Sequence, residues 1–350
     1  MTPLAEEIAA RIKSHGPLTF AAFMQLALYD RSHGYYGSGA VRTGWGGHFV
    51  TSPELDPAFG ELWANGFEQV WNSCDRPLSF EIVEIGGGEG GFAASVLRST
   101  NGEFGKAIAY RIVERSQEVA RRQREAIGND TRVSWVASID ELDPIEAGCL
   151  FANEVLDNLP VHVIEGRGGE IVELFVGLDG DDLVWADGAL SSSEVAAYVS
   201  RYELNPAPGM RVEIGIAAEQ VMKRVAGLTG RGAVIVVDYG DSSSELLARP
   251  GGTLVAYSNM GADDDVLSHP GAKDITAHVN WTAIAEALSS AGLTTTGPEK
   301  QREILHALGS SDKDAELREQ HRAAVLKGDG ADALRTLSGR QALGALTDPG

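Results

Sequence analysis

Glu84-Ile85-Gly86-Gly87-Gly88-Glu89-Gly90-Gly91 follows the apolar run Phe80 to Ile85 directly and leads into a helical pattern that starts at Phe92. Glycines at a strand-to-helix turn let backbone approach a ligand closely. The string fits two templates. Gly86, Gly88 and Gly91 match the dinucleotide pattern G-x-G-x-x-G, whereas Glu84, Gly86, Gly88 and Gly90 match E-x-G-x-G-x-G, the pattern of nucleoside-binding methyltransferases. Charge separates the two. A dinucleotide sets its pyrophosphate at the helix N-terminus, where Glu89 and Glu84 would oppose it. S-Adenosylmethionine (SAM) has no phosphate and carries a sulfonium and an ammonium that acidic neighbours favour. The expectation is therefore SAM, with NAD bound much more weakly.

Outward from this loop, short apolar runs alternate with helical ones, the signature of parallel βαβ units. Phe80 to Ile85, Tyr110 to Val113, Val133 to Val136, Cys149 to Ala152 and Ala233 to Val237 read as strands, with helices from Phe92 to Arg98 and Glu118 to Ile127. Between the fourth and fifth strands an insertion carries hairpin strands at Val161 to Ile164, Ile171 to Val176 and Leu183 to Ala186. Helices from Ser192 to Tyr202 and Ala217 to Val225 follow. Upstream, Ala5, Ile8, Ala9 and Ile12 recur at helical spacing, a second helix is expected from Leu18 to Tyr29, and a Gly-rich loop runs from Gly34 to Glu54. Phe59 to Val70 is again helical. Near the end, Asn280 could cap and Gly292 could end a helix from Trp281 to Ser290, and the leucines past residue 309 are spaced for further helices. The division expected is a helical extension and loop at 1–78, a Rossmann-like core at 79–160 and 229–308, an inserted substrate region at 161–228, and C-terminal helices at 309–350.

Glu114 closes the second strand 24 residues after Gly90, where a carboxylate suits both ribose hydroxyls. A solvated acid paired with Arg115 or Arg111 is the plainer alternative. Ligands of open α/β sheets sit beyond the carboxyl ends of the strands, so Asn153-Glu154-Val155-Leu156-Asp157 and Asp238-Tyr239-Gly240 draw attention next. Glu154, Asp157 and Asp238 could form an acidic pocket beside a transferable methyl group. Helix capping by Asn153 and Asp157, and turn chemistry at Asp238, compete with that reading.

Composition narrows the partners. The 350 residues carry a formal charge of −21, which repels phosphate backbones and anionic lipid surfaces and argues against nucleic acid and membrane partners. Cys74 and Cys149 are too few for a disulfide framework and wrongly spaced for structural zinc, so both are expected as reduced, buried thiols. The amphipathic start lacks an apolar leader and no run approaches the roughly 20 apolar residues of a membrane span. A cytoplasmic location is the expectation. No histidine pair has metal-ligand spacing, and neither G-x-S-x-G nor a P-loop occurs.

Several blocks in fixed order resemble the MidA family of SAM-dependent methyltransferases. They are Gly34-Tyr35-Tyr36, Phe49 to Glu54, Phe59-Gly60-Glu61, Glu84 to Gly90, Ala152-Asn153-Glu154 with Asp157 to Val161, Asp238-Tyr239-Gly240, Gly252-Thr253-Leu254 with Ala256-Tyr257, and Asp274 to Val279. The family's mitochondrial members are protein arginine methyltransferases needed for complex I assembly. The resemblance implies an α/β class I methyltransferase sheet whose substrate side is built from the N-terminal helices and the insertion. Cofactor contacts fall on Glu84, Gly86, Gly88, Gly90, Glu114 and Asn153, and acceptor chemistry on Glu154 with Asp157 or Asp238. The family's Pro-Gly-Arg is here Gly87-Gly88-Glu89, and its Gly-Asp-Phe is Gly47-His48-Phe49. Methyl transfer to a nitrogen nucleophile such as a protein arginine is the leading expectation. A small-molecule methyltransferase and a SAM-binding assembly factor without turnover are the alternatives, and the sequence names no oligomeric partner.

Overall fold

The computed structural model describes residues 2–38, 57–258 and 261–347. The blocks around Trp45-Gly46-Gly47 and Phe49 to Glu54 lie outside the described residues. The chain divides into two compact units: Met1–Val41 with Asn153–Gly227 and Asp238–Thr296, and Arg42–Ala152 with Leu228–Val237 and Gly297–Gly350.

The second of these holds the sheet. Its strand order is Thr229–Val237, Ile145–Asn153, Phe80–Ile85, Ile108–Val113, Val133–Val136. The inner pairings are parallel, with Ile82 opposite both Cys149 and Tyr110. Ile82 and Val83, successive residues that face opposite sides of the sheet, are both fully buried, as expected for a strand covered on both faces. Chain order reverses beside Phe80–Ile85, so the glycine loop leaves the sheet at the topological switch point where such folds bind ligands.

Aromatic packing explains why helix Ala58–Ser73 belongs to this unit and not to an N-terminal extension. Phe92 stacks on Phe151 with ring centroids 4.7 Å apart, and Phe67 and Trp63 meet Phe151 edge-on at 5.7 and 5.0 Å. Leu305, Leu308, Leu343 and Leu346 enter the same core. The helices Ser310–Lys327 and Gly330–Thr347 thus exist where leucine spacing placed them, yet they complete the sheet's core. Cys74 and Cys149 are free and buried, and burial pushes the Cys149 thiol up to about 12.

The first unit contains an antiparallel sheet ordered Leu18–Thr19, Glu170–Asp179, His162–Arg167, Arg211–Ile214, with Asp182–Gly188 also pairing on Glu170–Asp179. Two expectations change here. Leu18 and Thr19 do not begin a helix. They pair with Val176 and Phe175, and the Thr19 hydroxyl then accepts from the Ala22 N–H at 3.2 Å to cap helix Phe20–Tyr29. A threonine is a good cap and a poor first turn. Strand Arg211–Ile214 was not anticipated, because only Val212 and Ile214 alternate inward and Glu213 between them is buried as well. The unit also takes residues 238–296, which the sequence division assigned to the core. Helix Trp281–Ser290 is capped as expected, the Asn280 Oδ1 accepting from the Ala283 N–H at 3.2 Å. No described helix is long and apolar enough to cross a membrane.

Candidate functional site

Gly86, Gly88 and Gly90 have φ of +71°, +49° and +86°, the left-handed region that side chains with a Cβ rarely enter. The loop therefore turns its backbone, and no side chains from these positions, toward whatever lies above the strand ends. Glu84 lies beneath it. The carboxylate is buried, accepts from the Tyr110 hydroxyl at 2.9 Å, and would meet a Cβ on Gly87 at 3.3 Å. Burial raises its pKa to about 7, although the Tyr110 hydrogen bond opposes the shift. Its geometry is that of a support under the loop.

Glu114 stands at the end of the neighbouring strand. Its Oε1 accepts from the Ser116 N–H at 2.7 Å and its Oε2 from Gln123 Nε2 at 3.4 Å. Pairing with Arg111 is not what holds it, since Arg111 bridges to Glu81 at 3.0 Å. Burial raises its pKa, and the backbone and amide hydrogen bonds counter that. An oriented carboxylate with one oxygen loosely held suits paired hydroxyls.

The charge argument drawn from Glu89 needs correction. Arg122, 8% exposed, grips Glu89 with two bonds, Nε to Oε2 at 2.8 Å and Nη2 to Oε1 at 3.0 Å. A bidentate partner cancels most of the field that Glu89 would present to a phosphate. Glu89 is therefore no charge filter, and the choice of SAM over NAD stands on other grounds.

The acidic residues gather in the other unit. Asp238 Oδ2 accepts from the backbone N–H groups of Val155, Leu156 and Asp157 at 3.2, 2.8 and 3.3 Å, and its Oδ1 from the Tyr239 N–H at 2.8 Å. It clamps the turn and is committed there, so it is a builder of the site instead of a free catalytic carboxylate. No helix begins at Asn153 or Asp157, which removes the capping alternative for both. Asp157 is 5% exposed and its Oδ1 has no hydrogen-bond partner among the described residues. Burial first, then the charges of Asp238, Asp274 and Glu154, push its pKa well above the ordinary range. Burial raises the Asp238 pKa as well, to about 6, but there the four backbone donors oppose the rise. Glu154 has φ of +51°, a strained conformation for a residue with a Cβ, of the kind that concentrates at functional sites. Asn153 Nδ2 reaches Glu154 Oε1 at 3.4 Å.

Sequence reasoning missed a second carboxylate layer. Asp274 accepts from the Tyr36 hydroxyl at 2.8 Å and from Asn158 Nδ2 at 2.9 Å, and burial lifts it to about 7. The Tyr29 hydroxyl donates to the Asn158 carbonyl at 3.1 Å. Tyr36, Asn158 and Asp274 all lay inside blocks quoted for the family resemblance, which was the available signal. Gln123 and Arg122 carried none, because a glutamine and an arginine on an amphipathic helix look like solvated positions. Among the described residues no group of three or more His, Cys, Asp or Glu could hold a metal ion.

The family model for S-adenosyl-L-methionine-dependent methyltransferases matches residues 62–299. The chain belongs to this methyltransferase family. It is 31% identical to a COG1565 superfamily member from Burkholderia thailandensis, solved bound to S-adenosyl-homocysteine (SAH). That match has a TM-score of 0.85 and covers 98% of this chain and 87% of the other. Among sequences, the mitochondrial protein arginine methyltransferase NDUFAF7 of Rattus norvegicus is 27% identical, over 88% of this chain and 74% of its own. Its homologue from Caenorhabditis elegans is 28% identical, over 87% and 76%. The fold is accordingly the class I methyltransferase fold, and the cofactor is SAM. The relatives are named mitochondrial, which gives no support to the cytoplasmic location expected from the sequence.

Proposed function

We propose that this methyltransferase acts on the guanidinium nitrogen of a protein arginine. The observation that carries the reading is the set of carboxylates Glu154, Asp157, Asp238 and Asp274: burial raises the pKa values of the three aspartates, and the charges of the other three acids raise that of Asp157 further. A cationic acceptor relieves that repulsion, so it is bound and desolvated at the same place. The relatives' names, protein arginine methyltransferase, support the same acceptor class.

When bound, SAM supplies an electrophilic methyl on a sulfonium, and the loop Gly86 to Gly90 with Glu114 are the residues that would hold it. Displacement at that methyl depends on in-line positioning of the nucleophile. Glu154 orients the guanidinium and accepts its proton as the nitrogen gains the methyl. Asp157, on which burial and the neighbouring acids disfavour charge, gains from an arriving cation, while Asp238 keeps the 155–157 turn in place. The departure from the family pattern at Gly87-Gly88-Glu89 does not oppose activity, because Arg122 compensates the added charge.

Glu154→Gln keeps the side-chain shape and removes the acceptor for the proton. Transfer of labelled methyl from SAM to host-lysate proteins should fall by about a hundredfold, the size expected for a positioned carboxylate, with SAH affinity unchanged by calorimetry. Labelled methylarginine in the acid hydrolysate identifies the acceptor. Label found only in small molecules would defeat the proposal, and unchanged transfer would remove Glu154 from it.

A further inference from the structure

Helix Gln117–Ile127 reaches the glycine loop with two consecutive side chains. Arg122 takes Glu89, as described, and Gln123 does more. It has no solvent exposure, and its carboxamide makes three hydrogen bonds. Nε2 donates to the Gly88 carbonyl at 2.9 Å and to Glu114 Oε2 at 3.4 Å, while Oε1 accepts from the Trp135 indole N–H at 2.9 Å. A carbonyl and a carboxylate only accept and an indole N–H only donates, so the amide has a single orientation. The fit is tight: a Cβ on Gly90 would lie 3.0 Å from Gln123 Cα.

One buried carboxamide thus ties the middle glycine of the loop to the carboxylate assigned to the ribose, and anchors both to strand Val133–Val136. We propose that Gln123 is a positioning residue for SAM, fixing the Gly88 carbonyl relative to the Glu114 carboxylate and thereby setting affinity for the adenosyl part of the cofactor. The inference rests on the reading that the loop and Glu114 hold SAM. A glutamine serving only as core filling would need neither its donors nor its acceptor satisfied by these groups. Here all of its hydrogen bonds run to the cofactor side or to the tryptophan that orients it.

The experiment is titration of the full chain with SAH for wild type, Gln123→Met, Gln123→Glu, Glu114→Ala and the double variant Gln123→Met/Glu114→Ala. Melting temperatures are recorded for each. Gln123→Met should raise the SAH Kd by about tenfold, the usual scale for a lost hydrogen bond to a charged group. KM for SAM should rise with it while kcat at saturating SAM stays near wild type. The double variant should lose less than the sum of the two single losses, because Gln123 acts through Glu114. Gln123→Glu is nearly isosteric and places a second carboxyl against Glu114. Its binding should be weak at pH 8 and recover toward pH 6 as one of the two takes a proton. Wild-type affinity in Gln123→Met, or strictly additive losses, would overturn the proposal. A wild type that fails to bind SAH, or a Glu114→Ala variant that binds it normally, would instead overturn the reading beneath it.

Discussion

The glycine loop and the acidic turn handle charge in opposite ways. Around the loop each carboxylate has a local partner: Glu89 meets Arg122, Glu81 meets Arg111, and Glu84 meets the Tyr110 hydroxyl. Around the turn, Asp238 and Asp274 are held by backbone N–H groups, a tyrosine and an asparagine, and burial with the neighbouring acids raises the Asp157 pKa. A balanced, tightly turned loop presents shape more than field, which suits a cofactor whose own charges are mixed. A cluster of acids buried beside one another presents field, which suits a cation. The two regions should therefore fail differently when altered, the first through backbone geometry and the second through protonation.

The largest failure should come from geometry. Gly88→Val puts a branched side chain at a φ of +49°, a backbone conformation that it can adopt only with strain. SAH affinity should drop by about a hundredfold or more, as for a displaced binding group, while circular dichroism stays native. A variant that binds SAH within about threefold of wild type would mean that the loop side chain does not face the cofactor.

A second test asks whether the loop region is as free of protonation effects as that contrast requires, since one of its carboxylates is deeply buried. Glu84 has its pKa raised by burial from 4.5 to about 7. A carboxyl whose folded pKa is raised stabilises the fold fully below about pH 4.5, and that contribution is lost as pH climbs through 7. Glu84→Gln keeps the acceptor for Tyr110 and cannot ionise. The free protein should gain stability relative to wild type by at most about 3 kcal/mol at pH 8 and almost nothing near pH 4.5. Urea unfolding at both pH values reads the difference. A gain independent of pH would show that Glu84 titrates alike in the folded and unfolded chain, and would leave protonation effects to the acidic turn alone.

The contrast also explains what the sequence disclosed. Period-two and period-3.6 patterns are local, so the five sheet strands, the loop and helix Trp281–Ser290 with its Asn280 cap could be read directly. The grouping into units could not, because it depends on contacts between distant segments, such as Phe67 and Trp63 against Phe151. The same holds at the site. Glu114 and the glycines follow from spacing along the chain. The commitment of Asp238 to three backbone N–H groups of residues more than 80 positions away has no local signature. Leu18 and Thr19 show the converse, a helical pattern overridden by an edge position on Glu170–Asp179.

The smallest expected effect bears on Glu89, whose charge, with that of Glu84, argues in the sequence for SAM over a dinucleotide. If its charge is cancelled where it stands, removing both members of the pair should leave the field at the loop nearly as it was. Single changes would not test this, because Glu89→Gln strands a buried guanidinium and Arg122→Gln frees a carboxylate, each with its own desolvation penalty. The double variant Glu89→Gln/Arg122→Gln removes the pair with no charge left over, and Glu118, 3.6 Å from Arg122, stays solvent-facing. The ratio of SAH to NAD affinity should then move by less than about threefold, the range of a weakly contributing ion pair. A tenfold shift toward NAD would show that Glu89 keeps enough unscreened charge to repel a pyrophosphate. In that case the loop would select by field after all, and the difference between the two regions would be one of degree.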